Sequence, residues 1–109
     1  MKQIKVFIRH NMIDGVIDAL ETLDYQPGIT LSNVRGYGHP QENKPYKLIE
    51  RVKLETVIPD HEVDLVLKTI TEKARTGRKG DGKIFISPVE TAVRIRTGEE
   101  DNEALQFRE

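Results

Sequence analysis

A glycine-rich segment with flanking cationic side chains is the part of the sequence best suited to chemistry. Residues 76–85 read TGRKGDGKIF, which places three glycines within six positions. Glycine reaches backbone conformations that other residues avoid, and a turn built from it can direct successive N–H groups towards one anion. Lys83 follows this turn directly, so its ammonium group can reach an anion held there. The segment therefore predicts an anion-binding loop.

Two arginines further along the chain predict the same kind of ligand. Arg94 and Arg96 are two positions apart, so in extended backbone both side chains lie on one face. Their guanidinium groups repel each other unless an anion lies between them, and their planar forks match phosphate oxygens. The glycine turn is not a Walker A loop, because it lacks the Gly-Lys-Ser/Thr ending and leads into a strand. On spacing alone, a polyphosphate site and an ordinary glycine turn with solvated lysines are equally open.

The apolar periodicity of the chain predicts the elements that position these residues. Alternating or β-branched runs indicate four strands, at 2–9, 29–37, 48–58 and 83–89. Apolar residues at helical spacing indicate two helices, at 12–24 and 63–75, with Asn11 and Asp60 as their N-caps. The order βαββαβ predicts an α+β, ferredoxin-like fold, an antiparallel sheet with two helices on one face. The sheet face without helices hints at oligomerisation.

Composition limits the function classes that remain. The chain has 109 residues, 37% of them hydrophobic, which suits one domain. The net charge of −1 provides no general field for nucleic acid, and no apolar run is long enough for a membrane helix. There is no cysteine, so disulfide and thiolate chemistry are excluded. We expect a cytoplasmic protein that is not inserted in a membrane.

Several segments resemble one known family. Residues 76–85 and the sequence VRIRTGE at 93–99 closely resemble the two C-terminal signatures of PII signal-transduction proteins, the nitrogen regulatory proteins P-II. The start MKQI, the VRGYG at 34–38, and the VKLE and VIPD within 52–60 also look like that family. The resemblance covers nearly the whole chain.

The resemblance implies a homotrimer of ferredoxin-like subunits that binds ATP or ADP in the clefts between subunits. AMP and Mg²⁺ are further candidates. In this family a B-loop holds the phosphates, and a T-loop reads the ligand state and docks onto a transporter or an enzyme. Here residues 1–98 would form the domain, with a short T-loop at 39–50 and the B-loop at 76–82. Residues 99–109 would form an acidic, solvated tail, although the resemblance also allows its first residues to fold over the nucleotide as the C-loop of the family does.

Carried over residue by residue, the resemblance implies a nucleotide site with four parts. These are a strand end, the B-loop, the phosphate-binding lysine and two arginines that reach in from the neighbouring subunit. The residues are Gly36, Tyr37, Gly38, Thr76, Gly77, Arg78, Gly80, Asp81, Gly82, Lys83, Arg94 and Arg96. From its position inside the turn, Asp81 is also expected to accept hydrogen bonds from backbone amides.

The chain departs from nitrogen-sensing members around the T-loop. His39 and Pro40 stand where the family has Arg-Gln, and Gln41 comes one residue late. Arg51 stands where a lysine would pair with 2-oxoglutarate, and the T-loop is shortened and lacks the modifiable Tyr-Arg-Gly stretch. His39, Gln41 and Arg51 are therefore predicted effector and loop residues. The second effector is left open among 2-oxoglutarate, bicarbonate and a metal.

The leading hypothesis is a nucleotide sensor, not an enzyme, in which binding orders the T-loop. It would control a partner in nitrogen metabolism or in carbon and inorganic-ion metabolism. One alternative is a trimeric metal-tolerance protein that binds a divalent ion through His39 and carboxylates. The other is a slow ATP-hydrolysing enzyme that depends on Asp81.

Overall fold

The fold is an antiparallel four-stranded sheet with two helices on one face. A computed structural model describes residues 1–38 and 47–106. The strands are β1 (Lys2–Ile8), β2 (Thr30–Gly38), β3 (Lys47–Ile58) and β4 (Ile84–Pro88), in the spatial order β2-β3-β1-β4. The helices are α1 (Ile13–Glu21), α2 (Val63–Ala74) and a short α3 (Asn102–Leu105). This topology confirms the predicted ferredoxin-like fold.

The core lies between the sheet and the pair α1 and α2. Alternate residues of β1 and β3 point to the helices, and residues spaced by four on each helix point back to the sheet. The largest fully buried side chains are Ile4, Ile8, Val16, Leu20, Leu54, Ile58, Val66 and Ile70. Both helices are thus held by burial of one apolar face, which leaves the opposite face of the sheet without a helix.

Neither helix begins as the sequence predicted. A single 3-10 turn precedes each one, at His10–Met12 and at Asp60–Glu62, and no side chain caps either helix. The amide of Met12 donates to the Arg9 carbonyl at 3.0 Å, so Asn11 lies inside a turn that has already begun and does not cap the helix. Asp60 instead places Oδ1 2.9 Å from the amino nitrogen of Met1.

The hairpin of β2 and β3 extends beyond the rest of the sheet. The pairing of β1 with β3 ends at Val52, whereas β2 stays paired with β3 as far as Lys47. Residues 47–50 therefore belong to a strand and not to the predicted T-loop of 39–50. The remainder of that loop, including His39 and Gln41, lies outside the described residues.

The segment expected to be a solvated tail folds back onto the domain as far as residue 106. Val93 pairs with Glu100 in an isolated bridge, and α3 follows at once. The Tyr25 hydroxyl donates to the Leu105 carbonyl at 3.2 Å. The prediction was wrong here because tertiary contacts, not composition, hold these residues. Within residues 1–38 and 47–106, no helix has the length and apolar character needed to cross a membrane.

Candidate functional site

The B-loop contains three glycines in a backbone conformation that side chains disfavour. Gly77, Gly80 and Gly82 have φ angles of 83°, 93° and 105°. Gly82 is also enclosed, since a Cβ there would lie 1.8 Å from the Phe7 carbonyl oxygen. Next to it, the Phe7 amide donates to the Lys83 carbonyl at 3.0 Å. The loop can therefore rejoin the sheet at this point only with glycine.

The carboxylate of Asp81 closes the B-loop from inside. Its Oδ2 accepts the amides of Thr76 and Gly77, each at 2.9 Å, and its Oδ1 accepts the Thr76 hydroxyl. Hydrogen bonding from the Thr76 hydroxyl, and then from these amides and Arg9, lowers the pKa of Asp81 far below its ordinary value. The expected role of Asp81 as an acceptor for backbone amides is confirmed.

Arg9, at the end of β1, is a site residue that sequence reasoning missed. Its Nε donates to Asp81 Oδ1 at 3.2 Å, and its Nη2 donates to the Lys79 carbonyl at 2.6 Å. Because β1 and β4 pair antiparallel, the end of β1 lies beside the start of β4, where the B-loop ends. The sequence does show a cationic residue at the end of β1. Its place in the site becomes clear only when the strand order, which puts β1 next to β4, is known.

Arg51 of β3 brings a second guanidinium group to the same loop. The position of a Cβ on Gly80 would be 3.1 Å from Nη2 of Arg51 and 3.3 Å from Nη2 of Arg9. Among the described residues Arg51 has no carboxylate partner, and it donates only to the Glu50 carbonyl at 3.3 Å. Two guanidinium groups thus converge on one glycine. Among the described residues, only the carboxylate of Asp81 offsets their positive charge, which leaves a net positive charge at the loop.

The B-loop surface offers more donors than the protein itself uses. Within the described part of the chain, the amides of Lys79, Gly80 and Gly82 donate to no protein acceptor. The side chains of Arg78, Lys79 and Lys83 are exposed around them. Positive charge and unsatisfied N–H groups in one place suit an anion with several oxygens.

Gly36 and Tyr37 lie on β2 close to this surface. They help to line a cavity of about 250 Å³, together with Phe7, Val34, Arg35, Ile49 and Arg51. Phe7 and Arg51 also contact the B-loop region, so the cavity and the loop share two of their walls. Gly38 pairs with Lys47 at the end of the same strand.

The structure does not place Arg94 and Arg96 side by side on an extended segment. The Arg94 amide donates to the Glu99 carbonyl at 2.8 Å, and the Gly98 amide donates to the Arg94 carbonyl at 2.7 Å. These bonds close a tight turn through residues 95–97, so the predicted common face is wrong. The turn follows β4, whereas the B-loop precedes β4, and the two lie at opposite ends of that strand within one chain.

Comparison with known proteins identifies the family. The family model for nitrogen regulatory protein P-II matches residues 1–99. The chain belongs to the P-II family. It is 42% identical to the nitrogen regulatory protein P-II of Microchaete diplosiphon, over 96% of this chain and 100% of that protein. It is 40% identical to that of Haemophilus influenzae over the same shares. The chain is therefore a homologue of nitrogen-regulatory signal-transduction proteins.

A solved structure in the P-II family agrees with the fold. Arabidopsis thaliana PII bound to citrate superposes with a TM-score of 0.84 at 36% identity, covering 99% of this chain and 92% of that one. The alignments with the curated P-II relatives span 113 positions but include only 96% of 109 residues, so those relatives contain several residues that this chain lacks. Among the described residues, no group of three or more His, Cys, Asp or Glu side chains could hold a metal.

The close approach at Gly82 predicts a difference between two glycine substitutions. Gly82→Ala should lower the free energy of unfolding by about 4 kcal/mol or more, because the new methyl group overlaps the Phe7 carbonyl. Gly77→Ala is the matched control, since it also has a positive φ but no atom within 4 Å of a Cβ, and it should cost about 1–2 kcal/mol. Chemical denaturation at one protein concentration measures both, and equal losses would show that Phe7 yields.

The depressed pKa of Asp81 predicts a pH-dependent contribution to stability. Because the folded pKa is lower than the unfolded one, the stabilisation is complete above the ordinary value of 3.8 and is lost as the pH falls below it. The difference in unfolding free energy between the natural chain and Asp81→Asn should shrink over that acid range. Thr76→Val should raise the pKa of Asp81 in a carboxyl NMR titration. A difference that stays constant in acid would contradict this assignment.

Proposed function

We propose that this P-II protein is a trimeric, non-catalytic sensor that binds an adenine nucleotide between subunits and signals to a protein partner. The observation that carries the proposal is the convergence of Arg9 and Arg51 on Gly80, in a loop that leads to Lys83 and has three amides with no acceptor among the described residues. Phosphate oxygens can accept hydrogen bonds from all of these groups at once. ATP and ADP offer more such oxygens than AMP does, so we expect them to bind more tightly.

The cavity beside the B-loop would hold the rest of the nucleotide. Gly36 and Tyr37 line it, and Arg51 connects it to the loop. An open groove along β2 can take a planar base against the Tyr37 side chain, which is 76% exposed. The site would be completed by Arg94 and Arg96 of a neighbouring subunit, because the same chain carries them at the far end of β4.

A second copy of the chain would also cover the apolar surface that one subunit leaves exposed. Phe85 is 52% exposed on the sheet face without helices, where it packs edge-on against Phe7 with ring centroids 6.1 Å apart. Ile95, between the two arginines, is 100% exposed. If the exposed Ile95 side chain were buried against a neighbouring subunit, Arg94 and Arg96 on either side of it would be brought to that subunit. This supports the trimer that the P-II family implies.

A carboxylate is the second effector that the charges favour. Arg9 and Arg51 together repel a metal cation, and those of their N–H groups that the phosphates do not use can donate to carboxylate oxygens. The Arabidopsis thaliana relative is described as bound to citrate, which carries three carboxyl groups. Arg51 also stands where the β2–β3 hairpin leaves the rest of the sheet, so a ligand that moves Arg51 acts on the base of the hairpin that leads to the T-loop.

Regulation fits this site better than hydrolysis does. Hydrolysis needs a general base positioned near the bound phosphate. The Asp81 carboxylate already accepts hydrogen bonds from Thr76, Gly77 and Arg9, and its low pKa makes it a weak base. The curated relatives are named as nitrogen regulatory proteins, and a T-loop as short as the one that the sequence predicts would select a different protein target.

The proposed phosphate contact of Lys83 predicts a loss of nucleotide affinity on substitution. Calorimetric titration with ATP and with ADP should show binding to the natural chain, weakened about tenfold or more in Lys83→Ala, because a charge-assisted bond is removed. Lys68→Ala, an exposed lysine on α2 with a 4.0 Å ion pair to Glu72, is the matched control and should bind normally. No binding to the natural chain would refute the proposal, and equal weakening in both variants would refute the assigned site.

The position of Arg51 predicts that the ligand state reaches the T-loop. Addition of ATP should slow amide hydrogen exchange in the peptide that spans residues 39–50, and this slowing should be smaller in Arg51→Ala. Exchange in α1 at residues 13–21 should not change. If exchange in 39–50 is the same with and without ATP under saturating conditions, the T-loop does not report the bound nucleotide.

A further inference from the structure

The guanidinium group of Arg94 is held by the chain's own C-terminal segment. Its Nη2 donates to the carbonyl oxygens of Glu103 at 3.4 Å and Ala104 at 3.3 Å, and also to that of Gln106. Its Nε lies 3.8 Å from Glu99 Oε1. The side chain retains only 16% of its exposure. Carbonyls at the end of a short helix carry partial negative charge, so they are good acceptors for a cation.

The same segment is fastened to the domain at a second place. The Tyr25 hydroxyl, just beyond α1, donates to the Leu105 carbonyl at 3.2 Å. Burial raises the pKa of the Tyr25 phenol, so the hydroxyl stays protonated and keeps its donor role. Ala104 and Leu105 are half-buried against the domain. Residues 99–106 therefore form a folded strap over Arg94, with contacts at both of its ends.

The strap is closed through a strained residue. Asp101 adopts φ 54° and ψ −127°. Among the described residues, it alone has a positive φ without being a glycine. Its amide donates to the Ala92 carbonyl at 2.8 Å, and its carbonyl accepts the Ala104 amide at 2.9 Å. Strained backbone persists only where surrounding contacts hold it, so opening the strap releases strain while it gives up those contacts.

We propose that residues 99–106 are a built-in competitor for Arg94, which must be released from the strap before it can bind the phosphates of a nucleotide in the neighbouring subunit. This inference rests on the proposed nucleotide site. The two sets of partners are mutually exclusive, because a side chain that is 84% covered by its own chain cannot also extend across a subunit boundary. The carbonyl oxygens and the Glu99 carboxylate stand in for the phosphate oxygens when no nucleotide is bound.

Competition of this kind sets the nucleotide affinity. Only subunits with an open strap can supply Arg94, so the apparent dissociation constant rises in inverse proportion to the open fraction. Weakening the strap should therefore tighten nucleotide binding without any change in the cleft. By linkage, a bound nucleotide should open the strap to the same extent.

Two variants far from the B-loop test the proposal by ATP titration of the full chain. Tyr25→Phe removes the hydroxyl that holds Leu105 and should tighten ATP binding about two- to tenfold, the range expected for one neutral hydrogen bond. Leu105→Pro removes the amide that donates to Asp101 at 3.2 Å, and should have a larger effect in the same direction. Thr22→Val is the matched control. It removes a hydroxyl that donates to the Ala19 carbonyl at 2.7 Å, within the end of α1, and should leave ATP affinity unchanged.

Hydrogen exchange supplies the reciprocal measurement. Saturating ATP should speed exchange of the amides of Ala104, Leu105 and Gln106, which donate within the strap. If the natural chain binds ATP but both variants bind with unchanged affinity and exchange does not rise, the strap is only structural and this proposal is overturned alone. If neither the natural chain nor Leu105→Pro binds ATP or ADP, the nucleotide site itself is refuted and the strap has nothing to compete with.

Discussion

The carboxylate of Asp81 is the interaction on which the candidate site depends. A loop with three glycines at positive φ has little intrinsic reason to keep one conformation, because glycine loses more backbone entropy on ordering than any other residue. Asp81 accepts hydrogen bonds from the backbone at the start of the loop and from Arg9 at the end of β1, which ties the loop to itself and to the sheet. Lys83 and the loop amides that donate to no described protein acceptor lie within or next to the segment that Asp81 fixes.

The same arrangement determines how much positive charge is left for a ligand. Arg9 is paired with Asp81, whereas Arg51 approaches Gly80 without a carboxylate of its own among the described residues. If Asp81 were absent, the two guanidinium groups would repel each other across a loop that had lost the hydrogen bonds to Thr76 and Gly77. With Asp81 present, the charge of Arg9 is paired within the protein and the charge of Arg51 is left for a ligand. A sensor needs this intermediate condition, because a site that binds its ligand too tightly cannot respond to a change in concentration.

The fold and the B-loop could be predicted from sequence because their signals are local. Strand alternation and helical spacing indicate βαββαβ, and glycines around an aspartate indicate a closed turn. Arg9 could not be found in the same way, since 72 residues separate it from Asp81 and only the strand order brings the two together. The strap was missed for a related reason. A helix of four residues has no propensity signal of its own. Residues 99–106 are held by Tyr25, which is distant in sequence, and by Arg94, which the sequence analysis had assigned to a nucleotide phosphate.

The separation of the B-loop from Arg94 within one chain gives the proposed assembly a directional character. One subunit would supply the loop and the next would supply the arginine, which is a head-to-tail contact, and such contacts close into a ring when the rotation permits. In that ring the strap of each subunit would control the cleft of its neighbour and not its own. Opening one strap would then complete one site, and a nucleotide bound there would hold the strap of the donor subunit open. Under this proposal, occupancy of a cleft would change two subunits at once, the one whose T-loop responds to the nucleotide and the one whose C-terminal segment releases Arg94.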